Sequence, residues 1–76
     1  MERKEIESAV EAILFASGEP VRLQRLCGVL ELARPAVERA LKDLEDHYAF
    51  DQRGIRLVQM EDSWQLCSAP EFADIV

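Results

Sequence analysis

His47 is the only histidine in this 76-residue chain. To act as a general base it would need a serine or cysteine to activate, and a third group to orient it. Its neighbours are Asp46 and Tyr48, and no serine or cysteine lies near it in sequence. A histidine near the end of a helix is favoured there by the helix dipole, so a solvated or capping role is expected. Cys27 and Cys67 lie far apart and form no C-x-x-C pair. Two distant cysteines and one histidine fall short of a structural zinc set, and small buried apolar roles are expected for both thiols. Gly18, Gly28 and Gly54 are isolated, so no glycine-rich phosphate loop exists. The carboxylates are numerous but spread along helix faces, where most should be solvated. The expectation is a chain with no catalytic residues, no cofactor and no metal.

The surrounding chain forms one small domain. A domain of this size buries only about 60% of its unfolded surface, so a partner or a second copy would help to stabilise it. Hydrophobic residues make up 49% of the chain, enough to fold. Nine Lys and Arg against fifteen Asp and Glu give a net charge of −6 and a pI near 4.6. No stretch approaches the roughly 20 apolar residues that a membrane span needs. Met1-Glu2-Arg3-Lys4-Glu5 alternates charge and lacks the apolar region of a signal peptide, so a cytoplasmic location is expected.

Three helices are predicted. The first covers about Lys4 to Ser17, with Ile6, Ala9, Val10, Ile13 and Leu14 as its apolar stripe and Ala12, Phe15 and Ala16 widening it. Gly18 ends it and Pro20 prevents continuation, after which Val21 should be extended. The second runs from about Leu23 to Glu31 on Leu23, Leu26, Cys27 and Leu30. Gly28 inside it signals either close approach of a neighbouring helix or a simply tolerated glycine. After the turn Leu32-Ala33-Arg34, Pro35 suits a first helical position. Val37, Leu41, Leu44 and Tyr48 then recur at helical spacing, and Glu38 and Lys42 are placed for an i,i+4 ion pair. A short second helix, a tight turn and a longer third helix make a helix-turn-helix pattern.

Ala49 to Arg53 reads as a linker. Ile55 to Met60 reads as a strand, Glu61-Asp62-Ser63 as a turn, and Trp64 to Ser68 as the returning strand. Pro70 then opens a further helix, Glu71 to Val76. The chain stops inside that apolar segment, so a fragment of a longer protein is expected. The fold class is therefore mainly α with a small β-hairpin: a winged helix-turn-helix of three helices plus a wing, followed by the start of another C-terminal helix.

That fold usually reads DNA, so the charges of its reading elements matter. The third helix would expose Arg34, Arg39 and Lys42 against Glu38, Asp43, Glu45 and Asp46, and it contains no Asn or Gln to read adenine. The hairpin and its approach carry Arg53 and Arg56 against Asp51, Glu61 and Asp62, with the last two at the wing tip. Acid at that tip repels phosphate, and direct sequence-specific DNA binding is not expected. A winged-helix DNA-binding transcriptional regulator stays as the alternative reading, on topology alone.

Phe15, Phe50, Val58, Met60 and Phe72 exceed what one small core needs, and they are the candidate protein interface. Val58 and Met60 fall on the strand face opposite Ile55 and Leu57. An antiparallel hairpin that is apolar on both faces usually has both covered. The cover here is either the helix after Pro70 or a partner.

Two blocks carry a family resemblance. Ile6-Glu7-Ser8-Ala9-Val10-Glu11-Ala12-Ile13-Leu14-Phe15-Ala16-Ser17-Gly18-Glu19-Pro20-Val21 resembles the opening of the segregation and condensation protein B family, which begins with an (I/V)EA(I/L)LFASGEP(V/L) run. Arg53-Gly54-Ile55-Arg56-Leu57-Val58, Trp64-Gln65-Leu66 and Ala69-Pro70-Glu71-Phe72 resemble that family's wing and following helix. The resemblance implies the first of two winged-helix domains in a non-enzymatic subunit of the bacterial SMC condensin-like complex, acting in chromosome condensation and segregation at the nucleoid. It implies a homodimer formed largely through this domain. It also implies binding to the kleisin subunit, segregation and condensation protein A, and through it to SMC. Two departures stand out: Arg22 where a helix-capping Ser is common, and Glu61-Asp62-Ser63 where the wing turn is commonly glycine-rich.

Overall fold

The computed structural model describes residues 1–75. Its elements run α1 (Arg3–Ser17), β1 (Val21–Arg22), α2 (Leu23–Leu30), α3 (Arg34–Phe50), β2 (Ile55–Met60), β3 (Ser63–Ser68) and a terminal 3₁₀ helix (Pro70–Ile75). The expected winged helix-turn-helix is present. Val76, the last residue of the expected terminal helix, lies outside the described residues.

One core joins all three helices to the sheet. Ile6, Val10 and Leu14 of α1 meet Leu23 and Leu26 of α2 and Val37, Ala40, Leu41 and Leu44 of α3, with Val21, Leu57 and Trp64 closing the cluster from the sheet. Of the predicted α1 stripe, Ile13 packs against the edge of this cluster, and Ala9 is half-buried. Cys27 and Leu30 likewise sit half-buried at the margin of α2. Both cysteines are free thiols, each half-buried rather than buried. A Cβ added at Gly28 would meet nothing within 4 Å, so this glycine is a tolerated one and no helix approaches it.

The sheet has the order β1-β3-β2, antiparallel throughout. β3 is its spine. Trp64 pairs with Val21 on one side and Gln59 on the other. Met60 pairs directly with Ser63, so the hairpin turn is the two residues Glu61 and Asp62, and β3 starts one residue earlier than predicted. Glu61 takes φ 58, a left-handed conformation that glycine would adopt without strain.

Three helix ends differ from expectation. α3 does not stop before a linker at Ala49 but runs through Phe50. It closes with two bonds: the Gln52 amide donates to the Ala49 carbonyl (3.3 Å) and the Arg53 amide to the Tyr48 carbonyl (3.2 Å). This is a Schellman motif with Gln52, at φ 53, in the position glycine usually holds. Glu31 plays the same left-handed role after α2, at φ 54. The terminal segment is a 3₁₀ helix rather than an α-helix. Six residues that bury no side chain give too little to offset helix nucleation.

The second face of the wing is only partly covered. Arg56 ion-pairs with Glu71 of the 3₁₀ helix (3.3 Å) and also donates to the carbonyls of Arg53 and Ile55, which ties that helix to one end of the face. Val58 and Met60 stay 37% and 41% exposed.

Candidate protein interface

The five predicted interface residues are all exposed, but they do not form one patch. Val58 and Met60 share the outer face of β2, because alternate strand residues point the same way. Phe72 (40% exposed) stands on the 3₁₀ helix, and Phe50 (86%) is the last residue of α3. Phe15 (76%) projects from the C-terminal half of α1, on the side away from Val10 and Leu14.

Phe15 has neighbours that the sequence reading left out. It lines a recess of about 260 Å³ with Ala12, Ile55, Leu66 and Tyr48. A second recess of about 400 Å³ adjoins it, sharing Phe15, Ile55 and Leu66 and adding Gly18, Gly54 and Cys67. Together they make a groove between α1 and the Ile55 end of the sheet. Ile55 was assigned to the inner face of the hairpin, and it does point inward. The helices do not reach it, and it remains 41% exposed. Val29, 59% exposed on α2, was also missed. It follows Gly28 outside the buried stripe, and that position was its only signal.

Polar pairs close one end of the groove. Glu7 and Glu11 lie four residues apart on α1 and turn toward consecutive residues of α3. His47 Nδ1 lies 3.2 Å from a Glu7 oxygen, and the Tyr48 hydroxyl donates to Glu11. The His47 side chain is 64% exposed, so the expected solvated histidine stands, with Glu7 as its partner. Glu7 itself is not a solvated surface carboxylate, since only 12% of its side chain is exposed. Partial burial, and then the hydrogen bond to Glu11 and its charge, push the Tyr48 hydroxyl from its ordinary 10.0 up to about 12, against a smaller opposing pull from Arg53. The folded state therefore holds this proton more tightly than the unfolded chain does. Stability from the pair is complete below pH 10 and is lost as pH rises from 10 to about 12. Urea midpoints measured across that range should fall in the native chain, and Tyr48→Phe should remove this part of the fall.

The third helix does not present a phosphate-binding face. Arg34 pairs with Glu38 (3.4 Å) and Lys42 with Glu45 (3.6 Å), so the expected Glu38–Lys42 pair is not formed. Both partners prefer other neighbours on the same exposed face, at separations that differ in energy by only tenths of a kcal/mol. Among the described residues Arg39 is the one cation of that face outside an ion pair. Nor do the described residues include any group of three His, Cys, Asp or Glu side chains arranged to hold a metal. No helix among them is long and apolar enough to cross a membrane.

Comparison with known proteins settles the family. Residues 8–76 match the family described as Segregation and condensation complex subunit ScpB. This chain belongs to the ScpB family. The segregation and condensation protein B of Ruminiclostridium cellulolyticum is 36% identical over all 76 residues of the chain, which covers 40% of that relative. The chain thus spans about two fifths of the length of such relatives. A crystal structure of a dimer of the ScpB N-terminal domain complexed with ScpA peptide superimposes with a TM-score of 0.87 at 29% identity, covering 93% of this chain and 89% of that one. The ScpB structure from Mycobacterium tuberculosis, 23% identical, shares the fold with a TM-score of 0.92 over 97% of this chain and 46% of that one.

Proposed function

We propose that this chain is the N-terminal winged-helix domain of a two-domain, non-enzymatic subunit of a bacterial SMC condensin-like complex. In this reading it dimerises, binds the kleisin ScpA, and acts in the cytoplasm at the nucleoid in chromosome condensation and segregation. One observation carries the reading. The ScpB relative seen as a dimer with ScpA peptide is a domain of nearly this chain's extent, and 89% of it aligns here. A unit of this size is sufficient in that relative for both contacts. The charge of the domain agrees, because a net −6 and an ion-paired α3 face favour protein over DNA as partner.

The candidate contacts remain Phe15, Phe50, Val58, Met60 and Phe72, apolar side chains left exposed in a domain too small to waste them. Met60→Glu is expected to weaken self-association at least tenfold while leaving the fold intact, since Met60 is 41% exposed in the unassociated chain. Sedimentation equilibrium on the variant, with circular dichroism as the folding control, reads this directly. Unchanged self-association would remove the wing face from the interface. Calorimetric titration of the native chain with ScpA tests the reading as a whole, and absence of binding would reject it.

A further inference from the structure

The groove beside α1 and the outer face of the wing are separate surfaces, and they differ in shape and charge. The wing face is a row of strand side chains, Val58 and Met60, next to the unpaired edge of β2. The groove is concave. Its walls are Phe15, Ile55 and Leu66, contributed by α1, β2 and β3. From Ser8 to Gly18 it follows α1 for ten residues, about 15 Å at the helical rise. That length admits two to three turns of a helix.

Its charge is specific. Glu11 is the one charged residue lining these two recesses. Its partner, the Tyr48 hydroxyl, keeps its proton at neutral pH, so the hydrogen bond leaves the Glu11 charge uncompensated. No cation stands within ion-pair distance of Glu11 among the described residues. Arg53 lies past Tyr48 in an adjoining recess and pairs with neither. Glu7, one turn along, is held by His47 rather than by Lys or Arg. A second copy of this chain is a poor occupant, because it brings another net −6 toward an uncompensated carboxylate.

We infer that the groove seats an amphipathic segment of a different protein, with apolar side chains entering between Phe15, Ile55 and Leu66 and a lysine or arginine reaching Glu11. The inference rests on the reading of the chain as a kleisin-binding subunit, and the segment then belongs to the kleisin. It also divides the candidate interface: Phe15 serves the kleisin, whereas Val58 and Met60 serve the dimer.

The experiment uses the full chain with intact ScpA as the probe, following affinity by calorimetry and self-association by sedimentation. Phe15 is 76% exposed, so Phe15→Glu does not disturb the core. A centrally placed aromatic anchor is worth about 2 kcal/mol or more, so Phe15→Glu should weaken ScpA binding about 30-fold with the dimer unchanged. Glu11→Gln still accepts the Tyr48 hydrogen bond but removes the charge. It should weaken binding several-fold and flatten the dependence of affinity on salt. Native-like ScpA affinity in both variants overturns the groove assignment, as does conversion of the Phe15→Glu dimer to monomer. If the native chain itself fails to bind ScpA, the kleisin reading falls and the groove assignment with it. Native binding with insensitive variants rejects the groove alone.

Discussion

Trp64→Ala is expected to destabilise the domain by about 3–5 kcal/mol, the range for removing a buried tryptophan. At about 0.05–0.15 kcal/mol per residue, a chain of 76 residues holds roughly 4–11 kcal/mol in all. The substitution therefore takes a large part of the total. Trp64 is 4% exposed and belongs to the same buried cluster as Leu41 and Val10. It also sits in the middle strand, opposite Val21 and Gln59. Its loss removes core volume and the anchor between wing and helices together. Trp64→Phe, which keeps an aromatic ring there, should recover most of the loss. Urea unfolding followed by circular dichroism decides the matter, and a loss below 1 kcal/mol for Trp64→Ala would mean that the wing is not docked through this residue.

Leu41→Ala comes next, at about 2–5 kcal/mol. Leu41 is fully buried on α3, the helix that packs on α1, α2 and β2. Each kcal/mol shifts the melting temperature of a domain this small by about 4–8 °C, so a drop on the order of 10–25 °C is expected. The measurement is a reversible thermal melt. Leu41→Met, which nearly conserves volume, should cost less than about 1.5 kcal/mol. Equal losses for Met and Ala would show that shape, not volume, governs this site.

Much of this architecture was legible because burial follows period. Val10 and Leu14, Val37 and Leu41, and Leu57 all lie on the predicted inward faces and are buried. Proline and glycine marked the starts and stops where those residues perform their usual backbone roles, at Gly18 (φ 66) and at Pro35 in the first turn of α3. The reading failed where other residues perform the same roles. Gln52 and Glu31 hold left-handed positions without being glycine, so the end of α3 was placed early. The 3₁₀ geometry after Pro70 follows from the absence of a buried face, which is a tertiary property. The groove was half legible. Phe15 was recognised as surplus, but Ile55 looked like core because strand alternation states direction and not whether anything lies there to meet the side chain.

One hydrogen bond near the wing tip links parts that the sequence keeps far apart. Arg22 at the start of α2 makes no side-chain cap. Instead the Leu23 amide donates to the Asp62 carbonyl at 2.8 Å, so the turn between β2 and β3 caps a helix some forty residues earlier. An eight-residue helix is too short to persist alone in water, and this one borrows a cap from the hairpin. The middle helix and the wing are thereby bound into a single cooperative unit. Amides of α2 should exchange with solvent at the same opening free energy as those of the hairpin, and loosening of the tip would be felt in the helix-turn-helix before any other bond had broken.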